Sequence, residues 1–294
     1  MSDHKRKRPS GYRGRYELPL RPLASHKGDF GKVFILAGAE GYTGAAVLCT
    51  EAAMRTGAGL VYLGVPRDIY PIVAVQCREA IVFPLPEEEE VLERASSCDV
   101  ALLGPGLGRS ARAERLVHRL LTTLELPVVV DADGINTLAG HIDVLDKRTA
   151  LTVLTPHEGE FQRLTGCQLP ITDRVAAARA FAAHHGCVLV LKGHGTVTAA
   201  PDGSVLVCGT GNPGMAKGGS GDVLAGMLAA LLGQKHLRSY YSNPAELVAA
   251  GVHYHGQAGD YCARKLGEYA MLPSDMIEAL PAVLKEHELR LDCL

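Results

Sequence analysis

The chain has 294 residues, with 30 Lys and Arg against 32 Asp and Glu, a net charge of −2 and a pI near 6.6. That balance excludes a surface dedicated to nucleic acid or anionic lipid, which needs a clustered basic excess. Hydrophobic residues at 47% and charged residues at 21% are proportions of a soluble globular chain with a sizeable core, and no apolar run reaches the length that spans a bilayer. A small-molecule partner is the expectation.

Lys5, Arg6, Lys7 and Arg8, with the Gly- and Arg-bearing stretch 11–15, form the only basic cluster. It reads as a solvated tail, with phosphate contact or an address signal as alternatives. No apolar region follows, so it is not a secretory leader. The eight cysteines, at 49, 77, 98, 167, 187, 208, 262 and 293, form no C-x-x-C pair and lie mostly in apolar segments. Reduced thiols and a cytoplasmic location follow.

Beyond the tail, short apolar runs at 32–37, 60–65, 80–83, 100–103, 128–130, 151–154 and 188–191 alternate with segments of helical period. Continuous apolarity is the mark of parallel strands covered on both faces, which predicts a doubly wound α/β layer structure. Glu87 to Glu90 reads as a solvated helix start. Asn243-Pro244 with Glu246, and Ser274-Asp275 after Pro273, open two late helices. The segments 195–199 and 204–208 flank Pro201-Asp202-Gly203, a β-hairpin at one sheet edge. With no composition break, residues 25–294 read as one domain behind a flexible arm, 1–24.

The Gly-rich and polar clusters follow the strands. They are Gly38 to Gly44, Gly104 to Gly108, Asp131 to Gly134, Thr155 to Glu160, and Lys192 to Thr196. In a parallel sheet the carboxyl ends share one edge, so all five should line a single crevice. The first has G-x-x-G-x-x-G spacing, not the dinucleotide fingerprint, and no G-x-x-x-x-G-K-[ST] run is present. The segment Asn212 to Asp222 carries four glycines in eight residues and runs into the apolar helix 223–232. Bare amides at a helix start make an anion hole for a phosphoryl group, with Gly219 and Gly221 as donors. Asp222, in the first turn, is placed to take a proton from a hydroxyl reacting there, or else caps the helix.

Lys192 reads as a phosphate contact or a surface lysine, with Gly193 and Gly195 offering backbone and Thr196 a hydroxyl. His157 is a substrate contact or a structural histidine. Asp131 and Asp133 are water-mediated Mg²⁺ contacts or helix caps. His253 and His255, at i and i+2 of a helix, do not share a face, so no metal site built from protein alone is expected.

Taken together, H-K-G-D-F-G-K-V at 26–33, G-P-G-L-G at 104–108, D-A-D-G-I-N at 131–136, T-P-H-E-G-E-F at 155–161, K-G-H-G-T at 192–196 and G-N-P-G-M-A-K-G-G-S-G-D-V-L-A-G at 211–226 resemble the NAD(P)H-hydrate dehydratase family. The resemblance spans residues 28–294. It implies a ribokinase-like three-layer α/β/α sandwich with a mostly parallel sheet. It also implies ADP- or ATP-driven dehydration of the S-form of hydrated NADH or NADPH, with Mg²⁺ carried on the nucleotide. The adenine nucleotide would lie on Lys192, Gly193, His194, Gly195, Thr196 and Gly221. The hydrate would lie on Ala45, Gly106, His157 and Asp222. Family relatives imply a homotetramer and a linked epimerase, here expected as a separate protein because only a short arm precedes Lys27. A small-alcohol kinase of the same superfold, of the thiamine-precursor type, and a non-catalytic nucleotide sensor are the alternatives.

Overall fold

The computed structural model describes residues 16–241 and 243–289, so the basic cluster at 5–8, the stretch 11–15 and Cys293 lie outside the described residues. The chain alternates strand and helix. It runs β1 (Lys32–Leu36), α1 (Thr43–Arg55), β2 (Leu60–Val65), α2 (Tyr70–Gln76), β3 (Ile81–Pro84), α3 (Glu88–Ser96), β4 (Val100–Leu103), α4 (Ala111–Thr123), β5 (Val128–Val130) and the short α5 (Asp133–Asn136). It continues with β6 (Thr152–Leu154), α6 (Glu158–Thr165), α7 (Arg174–His185), β7 (Val188–Leu191), β8 (Val197–Ala199) and β9 (Val205–Val207). It ends with α8 (Ser220–Gly233), α9 (Lys235–Tyr240), α10 (Pro244–Leu266) and α11 (Pro273–Lys285).

The sheet order is β3-β2-β1-β4-β5-β6-β7-β8-β9, parallel through β7 and antiparallel across the β8–β9 hairpin. The central strands β1 and β4 to β7 are buried on both faces because successive side chains enter opposite layers, while the edge strands β3 and β9 are partly exposed. Val33 and Ile35 of β1 belong to the core layer shared with α1, α8, α10 and α11, while Phe34 and Leu36 belong to the opposite layer shared with α3, α4 and α7. The expected α/β/α sandwich results. The strand order reverses between β1 and β4, which places the crevice of a doubly wound sheet at their carboxyl ends.

Local chemistry sets the helix starts. Asn243 Oδ1 accepts from Ala245 N–H at 2.9 Å and Pro244 occupies the first turn of α10. Asp275 Oδ2 accepts from Leu272 N–H at 2.7 Å ahead of α11. Helix α8 is apolar all round because it is the central helix of its layer, buried from Val223 to Gly233 between the sheet and α1 and α10. Residues 16–24 lie against the domain: Leu18 N–H donates to His287 O at 2.8 Å, and Arg21 Nη2 donates to Gln234 Oε1 at 3.0 Å. No helix among the described residues is long and apolar enough to cross a membrane.

Candidate active site

The five post-strand clusters are joined to one another by hydrogen bonds along the carboxyl edge of the sheet. Gly38 N–H donates to Pro105 O at 2.8 Å, linking the loops after β1 and β4. Gly108 N–H donates to Asp133 Oδ2 at 2.9 Å, carrying the link to β5. Thr155 Oγ1 donates to Asp131 Oδ1 at 2.7 Å, and Lys192 N–H donates to Pro156 O at 2.8 Å, continuing it through β6 to β7. Ala132 stands at φ 50°, a conformation that costs a side-chain-bearing residue of order 1–3 kcal/mol. This reversal lets Asp131 and Asp133, neighbours but one, serve two different loops.

The amino end of α8 closes the crevice. Gly219 caps it at φ 101°, with Leu48 Cδ1 2.7 Å from where a side chain would begin, so only glycine fits. Ser220 N–H donates to Lys217 O at 3.3 Å and Val223 N–H to Gly219 O at 3.1 Å. Among the described residues, the intervening amides of Gly221 and Asp222 and that of Gly219 take no carbonyl acceptor, which leaves donors at the positive end of a helix dipole. His255 holds this end from behind, its Nε2 donating to Ser220 O at 2.8 Å. Burial pushes His255 down to about 4, with the Ser220 contact opposing and Lys192 adding, so the ring is neutral. Two further supports had no sequence signal. Lys217 Nζ donates to Tyr269 O at 2.7 Å, and Asp260 accepts from Gly211 N–H and Asn212 Nδ2, each at 3.0 Å.

Lys192 points beneath this helix end instead of into solvent; its side chain is 18% exposed. Nζ donates to Asp131 Oδ1 at 2.6 Å and stands 3.9 Å from Glu160 Oε2. A side chain on Gly221 would begin 3.3 Å from Nζ. Burial works against the ammonium, yet Asp131 and Glu160, with Asp222 adding, raise the Lys192 pKa on balance and keep it charged. Asp222 experiences the same cluster with the opposite sign. Burial, then the charge of Asp131, push its carboxyl up to about 7; Lys192 opposes, and Glu160 and Asp133 add to the rise. Such a carboxyl ionises near neutrality, the range suited to a general base. Cys49, buried nearby, is held well above the ordinary thiol range by burial and by Asp222, so it supplies no competing nucleophile.

Two of the four residues expected to hold the hydrate lie together: a side chain on Gly106 would begin 2.8 Å from Ala45 Cβ. Leu48, one turn along α1 from Ala45, touches the Gly219 cap, which brings this pair toward Asp222. His157 is the amino cap of α6. Its Nδ1 accepts from Gly159 N–H at 3.0 Å and Glu160 N–H at 3.3 Å, while Glu160 Oε2 accepts His157 N–H at 2.8 Å. The structural role is thus filled, and the half-exposed Nε2 stands 3.5 Å from Glu160 Oε1. Gly193, His194, Gly195 and Thr196 form the β7–β8 loop, braced by Arg174, whose Nη1 donates to His194 O at 2.6 Å and whose Nη2 donates to Leu191 O at 2.9 Å.

Asp131 accepts from Lys192 and Thr155 through Oδ1, and Asp133 accepts from Gly108 N–H and from Asn136 Nδ2 at 3.1 Å. Asp131 thus anchors the lysine and the loop after β6, and Asp133 the loop after β4. Among the described residues, no group of three or more His, Cys, Asp and Glu side chains is arranged to hold a metal ion.

Residues 33–282 match the family model for NAD(P)H-hydrate dehydratase. The chain belongs to that family. It is 42% identical over 286 residues to the bifunctional NAD(P)H-hydrate repair enzyme Nnr of Moorella thermoacetica, covering 93% of this chain and 53% of that one. It spans about half the length of the bifunctional relatives it matches. The ADP-dependent (S)-NAD(P)H-hydrate dehydratase of Streptococcus pneumoniae is 33% identical and covered over 90% of each chain. The crystal structure of the ADP/ATP-dependent NAD(P)H-hydrate dehydratase from Bacillus subtilis, co-crystallised with ATP and Mg²⁺, superposes with a TM-score of 0.81 at 32% identity, over 93% of this chain and 96% of that one. The fold is the ribokinase-like sandwich expected from the motifs.

Proposed function

We propose that this family member dehydrates the S-form of hydrated NADH or NADPH back to the reduced dinucleotide at the expense of ADP or ATP. One observation carries the reading: a carboxyl pushed up to about 7 by burial and Asp131 sits in the first turn of a helix where, among the described residues, the Gly219, Gly221 and Asp222 amides take no carbonyl acceptor. The substrate named for its relatives supports this choice of substrate.

Hydroxide is a poor leaving group, so the hydroxyl of the hydrated nicotinamide ring is first phosphorylated. Its oxygen attacks the terminal phosphorus of the nucleotide, the bridging P–O bond breaks, and the hydroxyl proton passes to Asp222. Gly219 and Gly221 donate N–H groups to the transferred phosphoryl. The ring nitrogen then expels phosphate, and loss of a proton from the adjacent ring carbon restores the double bond. AMP from ADP, or ADP from ATP, is released. The Lys192 ammonium beneath Gly221 offsets phosphoryl charge from below. Mg²⁺ brought with the nucleotide would supply charge neutralisation at the phosphates.

In this reading Lys192, Gly193, His194, Gly195, Thr196 and Gly221 face the nucleotide, and Ala45, Gly106, His157 and Asp222 the hydrate. Residues 25–294 act as one catalytic unit, in a cytoplasmic homotetramer working beside an epimerase. Purified protein is incubated with hydrated NADH and either ADP or ATP, following the absorbance of reduced nicotinamide. Its return only with nucleotide, with equimolar phosphate, is the expected result. A stable phosphorylated product with no regained absorbance would instead establish a small-alcohol kinase, and nucleotide binding without turnover a sensor.

A further inference from the structure

Arg174 is the first residue of α7, where the positive end of the helix disfavours a cation. Other contacts outweigh that cost. Nη1 donates to His194 O and, at 3.2 Å, to Gly195 O; Nη2 donates to Leu191 O; Nε stands 3.1 Å from Glu158 Oε1. A side chain on Gly193 would begin 2.6 Å from Nη2, so the loop closes on the guanidinium only because that residue is glycine.

A trans peptide holds its C=O and N–H on opposite sides. Drawing the carbonyls of His194 and Gly195 onto one guanidinium therefore turns the N–H groups of Gly195 and Thr196 away from it. Among the described residues neither N–H takes an acceptor. Adjacent outward amides of this kind make a concave donor surface for an anion.

We infer that Arg174 is the positioning residue of the nucleotide loop, fixing residues 194–196 so that Gly195 and Thr196 present two amides to a phosphate oxygen of ADP or ATP. The inference rests on the reading of 192–196 as the nucleotide loop. Its pairing with Glu158, which follows the His157 cap at the start of α6, also ties that loop to the turn carrying a hydrate contact.

The test compares wild type, Arg174→Lys and Arg174→Gln by calorimetric titration with Mg²⁺-ADP and Mg²⁺-ATP, and by steady-state kinetics with hydrated NADH. Losing the fork should raise the Kd and KM of the nucleotide about tenfold or more. The hydrate KM, and kcat at saturating nucleotide, should move less than about threefold. Should Arg174→Gln not fold, Arg174→Lys keeps the charge and stem and decides alone. Unchanged nucleotide Kd in a variant of wild-type melting temperature overturns the inference, as does a hydrate KM that rises in step with the nucleotide KM. Wild-type protein that binds neither nucleotide overturns the loop assignment itself, and the inference with it.

Discussion

Replacing Asp222 by Asn should abolish turnover and stabilise the fold, and the second effect is the sharper test of the site's electrostatics. The carboxyl is pushed from 3.8 to about 7 by burial first and by Asp131 next. The native state therefore holds this proton more tightly than the unfolded chain. Stability from the group is full below its unfolded pKa and is lost as pH rises through about 7. At about 1.4 kcal/mol per pKa unit the limit is about 4 kcal/mol; partial solvation of the site reduces this to about 2 kcal/mol. Asn keeps the shape and carries no charge at any pH. In thermal unfolding of the free enzyme at about pH 8.5, Asp222→Asn should melt about 4–6 °C above wild type. Below about pH 4, where the carboxyl is protonated in the folded and the unfolded chain alike, the two curves should converge. Turnover should fall by several orders of magnitude while nucleotide binding persists. An Asn variant that melts at or below wild type at the higher pH, or a gain independent of pH, would refute the buried like-charge account.

In wild type, kcat/KM should rise with pH through about 7, since the base must be ionised; a profile flat from about pH 5.5 to 8 would remove Asp222 from that role. Lys192→Met strands Asp131 as a buried unpaired carboxylate, a loss of about 3–5 kcal/mol in urea unfolding near neutral pH. It also removes a charge that lowers the Asp222 pKa, so the acid limb should move to higher pH. Gly219→Ala forces a side chain onto φ 101° and Leu48, costing about 1–3 kcal/mol of stability and displacing a phosphoryl donor, for a drop in kcat of about 100-fold or more. The His255 pKa, depressed to about 4, makes the fold lose stability as pH falls from about 6.5 toward 4; His255→Gln should make that part of an acid titration shallower.

The strands were legible because a sheet covered on both faces writes itself as unbroken apolar runs. The runs at 60–65, 100–103, 128–130 and 188–191 coincide with β2, β4, β5 and β7. Elsewhere a tertiary contact decided the boundary. Ala37 leaves β1 as the chain turns toward Gly38, whose N–H is taken by Pro105 O. Ala80 N–H turns back to Cys77 O at 3.4 Å, so β3 begins one residue late and takes in Pro84, opposite Val65. The hairpin strands are shorter than their apolar pattern. Residues 195 and 196 belong to the Arg174-braced loop, and Ser204 is committed to the turn through Asp202 Oδ1 at 2.8 Å.

The candidate site was legible where backbone does the work and illegible where side chains meet across distance. Glycines at 214, 218, 219 and 221 are costly unless something approaches the main chain, and that cost is visible in the sequence. Lys192 was visible as a cation after a strand, but its partner Asp131 lies 61 residues away, and nothing local distinguishes a lysine reaching outward from one folded beneath Gly221. The consequence for mechanism is large. An outward lysine would only attract nucleotide, whereas one locked between Asp131 and Glu160 opposes the carboxylates that raise the Asp222 pKa and holds its titration near neutrality. Arg174 left one faint trace, a cation in the first turn of a helix against the dipole. A residue placed against its local electrostatics is held there by something remote, and here that is the loop on which the nucleotide reading depends.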